Sequence, residues 1–144
     1  GKVYFDDDIN NYKNSGSFEI NNKNLGYKIN IDSIDNLVRE NKIQIKKNVY
    51  IKMDIEGYEF FALKGLVKTI NNYNVTIFFE FSKKILENHQ NFESEFVEFL
   101  NKNTLKIYNS NFVEQNITDL ILDLNNLKKD HDVLDNFILQ KKDN

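Results

Sequence analysis

The sequence predicts an α/β domain built on a parallel βαβ core. Three observations carry this. Asn48-Val49-Tyr50-Ile51-Lys52-Met53-Asp54 is a short run of strand formers, followed at once by Ile55-Glu56-Gly57. From Tyr58 a helical period takes over, with Phe60, Leu63, Val67 and Ile70 spaced 3, 4 and 3 residues apart. Val75-Thr76-Ile77-Phe78-Phe79-Glu80-Phe81 is a second apolar strand, so strand, helix and strand follow one another within residues 49–81. Nearly continuous apolar strands predict a parallel sheet covered on both faces, joined by a right-handed crossover.

Upstream of this unit, Val3-Tyr4-Phe5 and Tyr27 to Ile31 read as strands, with loops at Asp6–Lys13 and Asn21–Asn24. Asp6-Asp7-Asp8 reads as a solvated loop. Asp32 or Ser33 can cap a helix, Asp35 suits its first turn, and Ile34, Leu37 and Val38 carry its period to about Asn41. The helix of the βαβ unit should span about 58–72. Gly65 inside it costs about 1 kcal/mol against Ala, which points to close packing there. Downstream, Phe92, Phe96, Phe99 and Leu100 form a helical stripe, and Leu105 to Tyr108 a short strand. Ile117, Leu120, Ile121, Leu124 and Leu127 mark another helix face, and Phe137-Ile138-Leu139 a last strand.

The 144 residues make a single domain, large enough for a real core. Apolar residues are 40% and charged residues 28%, ordinary for a globular protein. There are no cysteines, which removes disulfide, thiol and cysteine–zinc chemistry. Two histidines, His89 and His131, are too few for a multi-histidine metal site. His131-Asp132 therefore does not form the centre of a metal phosphohydrolase, and His89 is expected at the surface. The net charge of −3 lacks the basic footprint of a nucleic-acid binder. No stretch is long and apolar enough for a membrane span, and a cytoplasmic protein is expected. The 24 Asn, 18 Lys and 16 Ile point to A/T-rich codon bias, so the triplets at Asn74 and Asn116 carry no weight as glycosylation sites.

Open parallel sheets bind ligands beyond the carboxyl ends of their strands. There the first strand ends in Asp54, with Glu56 two residues on, and the second carries Glu80. Neighbouring strands lie about 4.8 Å apart, so these carboxylates should converge on one crevice. Period-2 geometry puts Lys52 on the face of Asp54. A lysine within an apolar strand needs a partner, and Asp54 or Glu80 supplies one. Gly57 permits a positive φ and a close backbone approach to a ligand, and it opens a helix whose first N–H groups can hold an anion. These residues alone specify a site and no reaction.

Residues 51–66, Ile-Lys-Met-Asp-Ile-Glu-Gly-Tyr-Glu-Phe-Phe-Ala-Leu-Lys-Gly-Leu, resemble the signature segment of the FkbM-type methyltransferases, in which Lys52, Asp54, Glu56, Gly57, Glu59, Leu63 and Gly65 all match. Ile29 to Leu37 resembles the lead-in to that segment, and Ile77-Phe78-Phe79-Glu80 the strand after it. The resemblance covers about residues 29–82. It implies a Rossmann-like methyltransferase sheet, S-adenosylmethionine as cofactor, and a hydroxyl acceptor on a sugar or other small molecule. It also implies a terminal antiparallel strand, near 136–140, beside the one near 105–108. The family's early glycine-rich strand-turn-helix has no counterpart among the glycines at 1, 16, 26, 57 and 65. With no Met at its start, the chain is expected to be the C-terminal portion of the domain, lacking those strands.

The resemblance places Asp54, Glu56 and Glu80 in the catalytic crevice, and Asp54 and Gly57 next to the cofactor. Asp54 would act as proton acceptor or as ligand of a divalent cation. Lys52 would tune the carboxylates, and Glu59 would serve the helix dipole. The rival reading is a non-catalytic binding or dimerisation module derived from the same fold, exposing a sheet edge. A metal-dependent hydrolase on the same carboxylates lacks a nearby histidine.

Overall fold

A computed structural model of the chain describes residues 2–5, 20–21, 27–127 and 133–141. The loop at Asp6–Lys13, with its aspartate run, residues 22–24 and His131-Asp132 lie outside these residues. Three short strands, β1 (Lys2–Phe5), β2 (Ile20–Asn21) and β3 (Tyr27–Asn30), form an antiparallel sheet in the order β2-β1-β3. The first and third were expected. The second includes Asn21, which the sequence reading had placed in a loop.

Helix α1 (Ile34–Arg39) begins at Ser33, whose Oγ accepts the backbone N–H of Asn36 at 3.2 Å. Then follow β4 (Asn48–Met53), α2 (Glu59–Lys64), α3 (Val67–Asn72) and β5 (Asn74–Ser82). The chain continues through α4 (Lys83–Asn88), α5 (Phe92–Lys102), β6 (Leu105–Tyr108), α6 (Ile117–Asn125) and β7 (Val133–Lys141). The main sheet has the order β4-β5-β7-β6. β4 and β5 are parallel; β7 runs antiparallel to β6, as the resemblance implied, and also antiparallel to β5.

The expected single helix over 58–72 is two six-residue helices. The break at Gly65-Leu66 has a physical cause. Gly65 O accepts the Asp35 N–H at 3.1 Å, and a Cβ on Gly65 would come within 3.0 Å of Ser33 Cβ. Leu66 has no side chain to cap α3. Asp35 does this instead, accepting the N–H groups of Lys68 and Thr69 at 2.8 and 2.9 Å and the Thr69 hydroxyl at 2.8 Å. A carboxylate there also suits the positive end of the helix.

Alternation along the strands separates two faces. Met53, Val75, Ile77, Phe79, Phe81, Leu105, Ile107, Phe137 and Leu139 form one core with buried side chains from α2 through α6. Phe60, Phe92, Phe96 and Phe99 pack there mostly edge to face, at ring-centroid distances such as 5.5 Å for Phe60–Phe96. On the other face Tyr50 and Lys52 are exposed, and Thr76, Phe78, Glu80 and Gln140 are half-buried. The expectation of a sheet covered on both faces is thus corrected: among the described residues, the core forms on one face. The helices that follow β4, β5 and β6 all contribute to that same core.

Candidate active site

The site grows out of the β4–β5 register. Lys52 pairs with Phe78 and Met53 with Phe79, so the next step brings Asp54 alongside Glu80 at the carboxyl end of the pair. The same pleat puts Lys52, Asp54 and Glu80 on the open face. β7 then sets Asn136 opposite Glu80. Lys52 Nζ lies 3.6 Å from Asp54 Oδ2 and donates to Asn136 Oδ1 at 3.0 Å. The ion pair expected for Lys52 is therefore present. The expected burial is not: the Lys52 and Asp54 side chains are each 55% exposed, on the face opposite the core that the described helices join.

Beyond Asp54 the chain turns sharply. Glu56 adopts φ +57° and Gly57 φ +93°, both left-handed. Such a conformation in a non-glycine residue persists only where its surroundings enforce it. Here Lys84 Nζ bonds Glu56 Oε2 at 2.8 Å, and the turn packs on α4. A Cβ on Gly57 would lie 2.5 Å from Lys84 Cβ and 2.8 Å from the Lys84 carbonyl carbon. The close approach that Gly57 permits is thus made by α4, where the sequence reading had expected a ligand. The six-residue α2 that follows is also too short to offer an anion site at its start.

Electrostatics tie the carboxylates together. Burial raises the Glu80 carboxyl above the ordinary value of 4.5, and the negative charges of Asp54, Glu56 and Glu59 raise it further; Lys52 opposes them. Asp54 and Glu80 share the open face with Lys52, whereas Glu56 is drawn aside toward α4. No group of three acidic or histidine side chains suited to a metal ion occurs among the described residues. The described residues do not fit the divalent cation considered for Asp54.

Three features escaped the sequence reading. Lys84 and Asn136 reach the site from α4 and β7, and only tertiary pairing reveals them. Glu59, expected merely to favour the helix dipole, is 1% exposed and bonds to the turn. His89, expected at the surface, has a side chain only 11% exposed, held between the rings of Phe60 and Phe61 at 4.9 and 5.2 Å. It lies outside the crevice, near Lys64 and Glu95.

A mixed sheet of this order, with acidic residues at the carboxyl end of its parallel pair, is consistent with a Rossmann-like methyltransferase fold. The family model of the methyltransferase FkbM domain matches residues 3–126, and the chain belongs to that family. No curated protein and no solved structure matches it. No helix among the described residues is long and apolar enough to cross a membrane.

Proposed function

We propose that the chain is the C-terminal part of an S-adenosylmethionine-dependent methyltransferase domain that acts on a hydroxyl of a sugar or other small molecule in the cytoplasm. Nucleic acid and membrane are not among its proposed partners. One observation carries the reading. Within the family-matched segment, Asp54 and Glu80 stand side by side at the open carboxyl end of a parallel strand pair, where α/β sheets bind ligands.

When bound, S-adenosylmethionine supplies an electrophilic methyl group. Of the two residues expected beside it, Asp54 has an exposed carboxylate, while Gly57 is closed against α4. Asp54 is therefore the residue we assign to this region. As the acceptor oxygen gains a methyl group, its proton passes to the Asp54 carboxylate. Lys52, 3.6 Å away and anchored on Asn136, orients that carboxylate. Glu80, whose carboxyl holds its proton more readily than usual, stands beside Asp54 as proton partner. Glu56, fixed by Lys84, forms the rim.

The non-catalytic module is favoured by a different observation. β4 is an edge strand of the main sheet, and its Tyr50 is 74% exposed. Two measurements separate the readings. Calorimetric titration of the 144-residue chain with S-adenosylmethionine should show weak binding or none. The full-length gene product should bind the cofactor and transfer labelled methyl to hydroxyl acceptors. Failure of the full-length protein to bind would remove the enzyme reading and leave the module.

A further inference from the structure

Glu59 is the most deeply buried charged side chain among the described residues, at 1% exposure. Its two oxygens have different surroundings. Oε1 accepts the backbone N–H of Ile55 at 3.0 Å, reaching back across the Glu56-Gly57 turn. Oε2 is buried with no hydrogen-bond partner among the described residues. An unpartnered buried oxygen is destabilising, and burying a carboxylate more so. Ordinary packing at the start of a helix would be better served by an apolar residue, or by a short hydroxyl side chain. The one thing Glu59 does that these cannot is span the distance to the Ile55 amide. That amide directly follows Asp54 and directly precedes the left-handed Glu56.

We propose that Glu59 is a positioning residue of the crevice, holding the Ile55–Gly57 turn from inside the protein and thereby setting the direction of Asp54. The Lys84–Glu56 pair and the packing of Gly57 on α4 hold the same turn from outside. A left-handed non-glycine residue such as Glu56 needs such restraint. The inference rests on the catalytic reading of Asp54 for its consequence and on the hydrogen bond alone for its geometry.

Two substitutions in the full-length gene product separate reach from charge. Glu59→Gln keeps the acceptor oxygen at the same reach and removes the charge. Glu59→Asp keeps the charge and withdraws the oxygen by one methylene. The clamp predicts that Glu59→Gln stays within a few-fold of wild type. It predicts that Glu59→Asp loses about 100-fold in kcat, as expected for a misplaced reacting group, with KM little changed. Amide exchange at Ile55 should accelerate in Glu59→Asp alone. The opposite ordering, or unchanged Ile55 exchange in Glu59→Asp, overturns the proposal. If the wild-type protein transfers no methyl group, the catalytic reading fails by itself. The ordering of Ile55 exchange then still decides whether Glu59 is the clamp.

Discussion

The two faces of the main sheet are built from alternate residues of the same strands, yet they carry different kinds of side chain. On one, Val75, Ile77, Phe79 and Phe81 are essentially inaccessible and join the helices in a single core. On the other, Thr76, Phe78 and Glu80 remain half-buried, and Lys52 and Asp54 meet solvent. One face is therefore held by apolar burial, a large and non-directional contribution. The other has less apolar burial, with Ile138 buried opposite the half-buried Phe78, and carries polar contacts at its carboxyl end, each small in solution. The proposed chemistry is thus separable from stability, residue by residue along one strand.

The separation can be broken most forcefully from the packed side. Phe96 is fully buried against Phe60, Phe79 and Phe92. Phe96→Ala should destabilise the fold by about 3–5 kcal/mol. Urea unfolding would check this, and cofactor binding per folded molecule should not change. A smaller effect is expected where α1 joins the βαβ unit. Asp35→Ala removes three hydrogen bonds from the start of α3 and should cost about 1–2 kcal/mol, with Asp35→Asn recovering part of it.

The smallest effect sharpens the comparison from the open side. Glu80 has a raised carboxyl, so the folded state binds its proton more tightly than the unfolded chain does. Ionising it therefore opposes folding, and stability falls as pH rises from the ordinary value of 4.5 through the raised one. Glu80→Gln should give a modest rise in melting temperature at pH 7 that disappears below pH 4.5. A gain that persists in acid would place its origin in packing and not in charge.

Much of this arrangement is legible in the sequence because it depends on local pattern. The strands β4 and β5 announce themselves through runs of strand formers, and their shared register puts Asp54 beside Glu80 with no further information. The motif around Lys52, Asp54 and Gly57 was enough to point to the family. What the sequence conceals depends on partners far along the chain. Asp35 caps a helix that starts 32 positions later, at Val67, and so splits a continuous helical period in two. Helix α4 has Ile85 as its one buried residue, too weak a periodic signal to stand out, although it gives Gly57 its packing partner and Glu56 its lysine. Asn136 reaches Lys52 only after β7 has paired with β5. The second face was misread because apolar strands do not reveal which of their sides the chain's own helices will cover.

Asp54→Asn in the full-length gene product tests the division between the faces most directly, read as methyl-transfer rate and melting temperature together. The amide keeps the shape of the side chain and removes the charge that would receive the acceptor's proton. Loss of a general base typically lowers the rate by about 10²–10⁴-fold. Because Lys52 is 55% exposed and also bonds Asn136, losing its ionic partner should cost at most about 1 kcal/mol. The account predicts a collapse in rate with a nearly unchanged melting temperature. Near-normal transfer accompanied by a clearly lowered melting temperature would contradict it, showing that Asp54 serves the fold and not the reaction.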